Sequence, residues 1–204
     1  DRDCGSPLRR IENVDEVFLT FDDGPWPRST PRLLDFCASI GLKATFFLVA
    51  ERARNSPAIV ERIRKEGHSI GNHSLDHTYG HFFRSAADLE AWIGEAQREL
   101  MEMTGEPPIA FRSPAGVLTP ELPKALAKLG LKHVLWNRRF FDGLCALSPT
   151  RAKCAATKIK PGDIVLLHDR ERIDEAEFFD SLRELVQVLR SRGFEMRPLL
   201  REDL

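Results

Sequence analysis

The sequence has almost no net charge: 30 Lys and Arg face 31 Asp and Glu across 204 residues, for a formal balance of -1. A nucleic-acid-binding surface needs clustered cations to neutralise phosphates, so this balance argues against such a partner. No apolar run approaches the roughly 18–20 residues that cross a bilayer, so no membrane span is expected. The four cysteines, Cys4, Cys37, Cys145 and Cys154, lack C-x-x-C spacing, which argues against a cysteine-bound zinc. Their even number still permits disulfides in an oxidising compartment, where Cys145 and Cys154 are near enough in sequence to pair. Cys37 reads as a buried thiol in a helix. Internal repeats, low-complexity tracts and long linkers are also missing. What is present is ordinary globular composition, 42% hydrophobic and 30% charged. The length suits one domain, residues 1–204, able to bury a substantial core without staples. The chain opens at Asp1 rather than Met, so a processed or trimmed form is expected.

Short apolar runs alternate with helical patterns. Strands are predicted at residues 17–21, 44–49, 69–71, 109–111, 133–136, 163–167 and 194–197. Helices are predicted at 30–40, 58–66, 85–103, 120–129 and 175–191. Gly41, Gly67, Gly105 and Gly193 stop four of them, and Ser85 with Asp88 starts the longest. Nearly continuous apolar strands joined by helices point to a parallel α/β sheet covered on its outer face. About seven units in this length suit an incomplete, distorted (β/α) barrel better than a full eight-stranded one. Chemistry in such folds sits at the carboxyl ends of the strands. Asp22 and Asp23 follow the first strand, His73 the third, Arg112 the fourth, Asp142 the fifth, and His168 with Asp169 the sixth. The polar residues therefore share one rim.

His73 and His77 are four residues apart, close enough on a helical turn to share a metal ion. The adjacent carboxylates of Asp22 and Asp23 end a buried strand, where both charges are costly without a cation. Two His and one Asp around open coordination positions would suit a hydrolytic metal site.

Four motifs occur in order: Thr20-Phe21-Asp22-Asp23-Gly24, His73-Ser74-Leu75-Asp76-His77, Phe111-Arg112-Ser113-Pro114-Ala115-Gly116 and Leu166-Leu167-His168-Asp169. This pattern resembles the polysaccharide deacetylase family, metal-dependent carbohydrate esterases built on the chitooligosaccharide-deacetylase homology domain. The resemblance runs from about Val17 to Phe194. It implies an incomplete (β/α) barrel that hydrolyses the N-acetyl group of an N-acetylhexosamine. By the same resemblance Asp22 is the general base, Asp23, His73 and His77 hold one divalent metal, with zinc expected, and His168 is the general acid. Ser74 braces the histidine loop, Arg112 holds Asp22, Asp142 pairs with His168, the Ala115 N–H meets the oxyanion, and Leu166 lines the acetyl pocket.

The implied partner is a polysaccharide containing N-acetylglucosamine, peptidoglycan foremost, with chitin or its oligosaccharides as the alternative. A deformylase of a lipid-linked amino sugar is a further alternative. That branch carries Ala and Trp after its first His, where this chain has Ser74-Leu75. A non-enzymatic sugar-binding relic fits poorly with so full a set of site residues. Export to the periplasm or beyond the cell follows from where the family mostly acts. Three departures from the family stand out: Ala115 replaces an aromatic residue, Arg139 an acidic one, and Gly143 a tryptophan. Trp136 and Phe141 are nearby aromatics expected in the core. Around the rim Arg138, Arg139, Arg151, Lys153, Arg170 and Arg172 outnumber Asp142, Asp169 and Glu171, which would suit an acidic polymer.

Overall fold

The computed structural model describes residues 6–140, 142, 147–170 and 175–204. Its sheet has five parallel strands: β1 (Phe18–Asp22), β2 (Thr45–Leu48), β3 (Ser69–Asn72), β4 (Arg138–Arg139) and β5 (Ile164–His168). They run in the order β3-β2-β1-β5-β4. The α-helices are α1 (Ser29–Ser39), α2 (Ala50–Arg54), α3 (Pro57–Lys65), α4 (Ala86–Thr104), α5 (Leu122–Leu129), α6 (Pro149–Ala156) and α7 (Glu175–Ser191).

β1 is buried along its whole length because helices cover one face and a second apolar layer fills the other. Phe21 stacks on Phe46 of β2 at 5.3 Å between ring centres. Leu33, Leu34 and Cys37 of α1 and Leu182, Leu185 and Leu189 of α7 pack into the same core. Each such leucine contributes about 1.5–3 kcal/mol when fully buried. α4 begins where the sequence indicates: Ser85 Oγ accepts the Asp88 N–H at 3.2 Å, and Gly105 closes the helix at φ 76°. α2 is an addition. Ala50–Arg54 is made of good helix formers, and Asn55-Ser56 before Pro57 separates it from α3.

Seven strands were expected and, among the described residues, five form. The runs 109–111 and 194–197 contribute isolated parallel bridges, Asn72 with Phe111 and Val17 with Met196. Pro107-Pro108 and Pro114 bracket the first run and Pro198 follows the second, and proline has no N–H to extend a ladder. The run 133–136 also makes bridges only, because the Arg112 side chain takes the carbonyls of Val134 and Leu135, each at 3.1 Å. Its strand, β4, begins at Arg138, five residues after the predicted start at His133.

Below the sheet, buried Asp163 ties β4 to β5, meeting Arg138 Nε at 2.6 Å and Asn137 Nδ2 at 2.7 Å. Cys37 is fully buried, which pushes its thiol up to about 12. Cys154 is exposed on α6. Cys4, Phe141, Gly143, Cys145, Glu171 and Arg172 lie outside the described residues, and with them the Cys145–Cys154 pairing.

Candidate active site

The carboxyl ends of β1, β3 and β5 meet at one cleft of about 320 Å³. Parallel pairing sets Asp22 of β1 directly across from His168 of β5. One residue on, the chain turns into the left-handed region at Asp23, with φ 77°. Ser74, His77 and Ala115 also have positive φ, so four of the five such non-glycine residues among the described residues belong to this site. Backbone strain of this kind persists only where neighbours over-determine it. Here Asn72 does part of that. Its Oδ1 accepts the Ser74 N–H at 2.8 Å while its Nδ2 donates to Ile93 O and Gln97 Oε1 of α4. Ser74 Oγ then accepts the His77 N–H at 3.1 Å, bracing the histidine loop.

His73 Nδ1 lies 2.9 Å from Arg112 O, a contact in which the ring N–H donates and Nε2 is left toward Asp23. Asp23 Oδ1 is 3.4 Å from His73 Nε2 and 3.0 Å from His77 Nε2. The three donor atoms lie within 4.8 Å of one another. Two imidazole nitrogens and a carboxylate oxygen, one imidazole fixed by an outer hydrogen bond, fit a divalent transition-metal ion. Burial alone would push the Asp23 carboxyl up, but hydrogen bonds with His73 and His77 and the charges of His73 and His168 hold it far below the usual range.

Asp22 faces the other way. Its Oδ1 accepts from Arg112 Nη1 at 2.7 Å, and its Oδ2 is 3.8 Å from His73 Nε2. Arg112 is fully buried, donates also to Thr20 Oγ1, Val134 O and Leu135 O, and lies 3.9 Å over the Phe47 ring. Burial disfavours its charge and the Asp22 carboxylate opposes that effect. Across the cleft, Asp142 is buried and grips His168 twice, accepting its backbone N–H and approaching Nδ1, each at 2.9 Å. Burial of His168 disfavours the imidazolium, but Asp142 outweighs it, so the pKa is raised above 6.5.

The remaining expected residues also line the cleft: Ala115 on a short 3-10 turn, Leu166 on β5 and Arg139 opposite it on β4. Trp136, expected in the core, does two things: it packs against the Ile11–Phe18 core cluster and also lines the cleft. Arg170 is part of the wall. Tyr79 is a cleft residue that motif reading misses. It is 48% exposed, with its ring edge-on to His77 at 5.4 Å between centres. Its position two residues after His77 was the available signal, but nothing in the sequence gave the loop's direction.

A family model described as polysaccharide deacetylase matches residues 10–134. A chitooligosaccharide deacetylase of Azorhizobium caulinodans is 31% identical over 96% of this chain and 98% of its own length. A peptidoglycan-N-acetylglucosamine deacetylase of Bacillus cereus is 32% identical over 87% of this chain and 83% of its own. The solved Bc1960 peptidoglycan N-acetylglucosamine deacetylase superposes with a TM-score of 0.84 at 29% identity, over 95% of this chain and 90% of that one.

Proposed function

Because this chain belongs to the polysaccharide deacetylase family, hydrolytic enzymes that remove N-acetyl groups, we propose that its cleft deacetylates N-acetylglucosamine units of peptidoglycan. One observation carries the reading: the Asp23, His73 and His77 cluster sits between an arginine-held carboxylate and a carboxylate-held histidine in a single cleft. Residues 1–204 are read as one catalytic domain, and the bridges through Phe111 and His133 support an incomplete barrel around it.

Asp23, His73 and His77 would hold the ion, with zinc suited to two imidazoles and one carboxylate. When bound, zinc supplies Lewis acidity to an amide carbonyl and acidity to water. Asp22 takes the proton of the attacking water. Its second oxygen is turned to the cleft while Arg112 Nη1 holds the first and so aims the carboxylate. The Ala115 N–H donates to the developing oxyanion. His168, protonated on Nε2 while Nδ1–H holds Asp142, gives a proton to the leaving amine. Leu166, 5% exposed, forms the apolar floor for the acetyl methyl.

The pH dependence follows from this pairing. His168 must be protonated to act, and the Asp142 charge keeps it so to higher pH. Asp142→Asn should therefore move the basic limb of the kcat profile to lower pH. An unmoved basic limb would leave Asp142 with a backbone role only.

The choice of polymer rests on Arg139 and Arg170, which bring two cations to the cleft wall where neutral chitin offers no counter-charge. The full-length match to a chitooligosaccharide deacetylase keeps that substrate as the second reading. Acetate release from peptidoglycan and from a chitooligosaccharide, followed as ionic strength rises, tests the choice. Arg139→Ala should lower kcat/KM on peptidoglycan about tenfold at low salt, flatten its salt curve and leave the chitooligosaccharide unaffected. Parallel salt curves for the two polymers would favour chitin. Both polymers lie outside the cytoplasm, so the protein is read as exported. No helix among the described residues is long and apolar enough to cross a membrane.

A further inference from the structure

One buried carboxylate beside the cleft has no part in the chemistry above. Asp169, 2% exposed, follows His168 at the end of β5. Its backbone N–H donates to Asp22 O at 2.8 Å, extending the β1–β5 ladder one residue beyond the acid histidine. Its side chain turns toward the segment that leaves Asp22. Oδ1 accepts from Ser29 Oγ at 3.0 Å and Oδ2 from Thr30 Oγ1. Thr30 Oγ1 in turn accepts the Trp26 N–H at 2.7 Å, so its hydroxyl proton is committed to Asp169. Gly24 closes the ring, because a Cβ there would lie 2.5 Å from Asp169 Oδ2. Asp169 thus meets both ends of the turn that carries Asp23 at φ 77°, with its backbone N–H at Asp22 and its carboxylate at Ser29 and Thr30. The same carboxylate lies close over Gly24 in the middle.

We propose that Asp169 is the positioning residue that fixes the Asp23 turn relative to His168, and so sets both the metal-ligand geometry and the distance between base and acid. The proposal rests on the metal-site reading above. The residue types fit the task. Two hydroxyls converge on two carboxylate oxygens, and the positive end of α1 offsets the buried charge. α1 has no acidic residue in its own first turn, so Asp169 supplies the anion from another strand. An amide could meet both hydroxyls only with its carbonyl toward Thr30, whose proton Trp26 commits outward, and its NH2 toward a reversed Ser29. It would bring no negative charge to the start of α1. Outer residues that orient metal ligands commonly cost 10–100-fold in affinity or activity when changed.

The test compares Asp169→Asn, Thr30→Val and Gly24→Ala with the parent. Zinc affinity is measured by competition with a chromogenic chelator, the absorption spectrum with cobalt substituted, and kcat and KM separately. Asp169→Asn should weaken zinc about 10–100-fold, alter the cobalt spectrum and lower kcat with KM little changed. Gly24→Ala should do the same. The double variant Asp169→Asn with Gly24→Ala should fall well short of the product of the two, since both break one contact. Ser85→Ala, which removes the α4 cap, controls for lost stability and should lower Tm without touching zinc affinity. If Asp169→Asn does not fold, Thr30→Val carries the comparison alone. Asp169→Asn or Thr30→Val that lowers Tm like Ser85→Ala but keeps parental zinc affinity and kcat would make Asp169 a helix cap and overturn the proposal. A parent protein that binds no zinc would overturn the site reading itself, and this inference with it.

Discussion

An Asp22→Asn variant is expected to bind its metal ion like the parent and to lose about 10²–10⁴-fold in kcat, the range typical of a removed general base. His77→Ala should instead lose the ion. The two neighbouring aspartates divide the work by direction. Asp23 Oδ1 stands at 3.0 and 3.4 Å from the two imidazole nitrogens, while the nearest Asp22 approach to His73 is 3.8 Å and its other oxygen belongs to Arg112. Asparagine at 22 would keep its carbonyl toward Arg112 and turn an amide that cannot accept a proton to the cleft. Metal content by atomic emission, beside single-turnover rates, checks this. Equal metal loss in both variants would remove the division of labour.

Arg112→Met should destabilise the fold by about 3–5 kcal/mol, the usual cost of stranding one partner of a buried ion pair. Asp22 is 3% exposed and would be left buried without its guanidinium partner. Val134 O and Leu135 O would lose their donor, and those carbonyls have no place in a β ladder to fall back on. Methionine fills similar space over Phe47, so the loss would come from polarity rather than a cavity. Adding Asp22→Asn to Arg112→Met should recover part of the stability, because the stranded charge is gone. Urea unfolding of the four proteins gives the coupling. A single-variant loss below about 1 kcal/mol would mean water reaches the pair.

Arg112 also marks where sequence reading stops. The apolar run around Phe18–Asp22, the Ser85 and Gly105 ends of α4 and the whole of α7 follow from patterns a few residues long, and the structure has them close to where those patterns put them. The segments at 109–111 and 133–136 have the same apolar look, yet their hydrogen-bonding groups are divided between single bridges and a guanidinium arriving from another part of the chain. No local pattern encodes that competition. The site was more legible than the sheet. Asp22, Asp23, His73, His77, Arg112 and His168 sit in motifs at strand ends and, with Asp142 beside His168, they converge on the cleft. Tyr79 and the two-sided role of Trp136 were hidden because an aromatic in a loop looks the same whether it faces core or cleft.

The central claim is that a cleft built on Asp23, His73 and His77 hydrolyses an acetamide on a polysaccharide. Its most direct test is acetate release from peptidoglycan and from a chitooligosaccharide by protein stripped with a chelator and then titrated with zinc. The account predicts no acetate from stripped protein and activity rising with zinc to one equivalent per chain. Protein that holds one equivalent of zinc and releases acetate from neither polymer would contradict it.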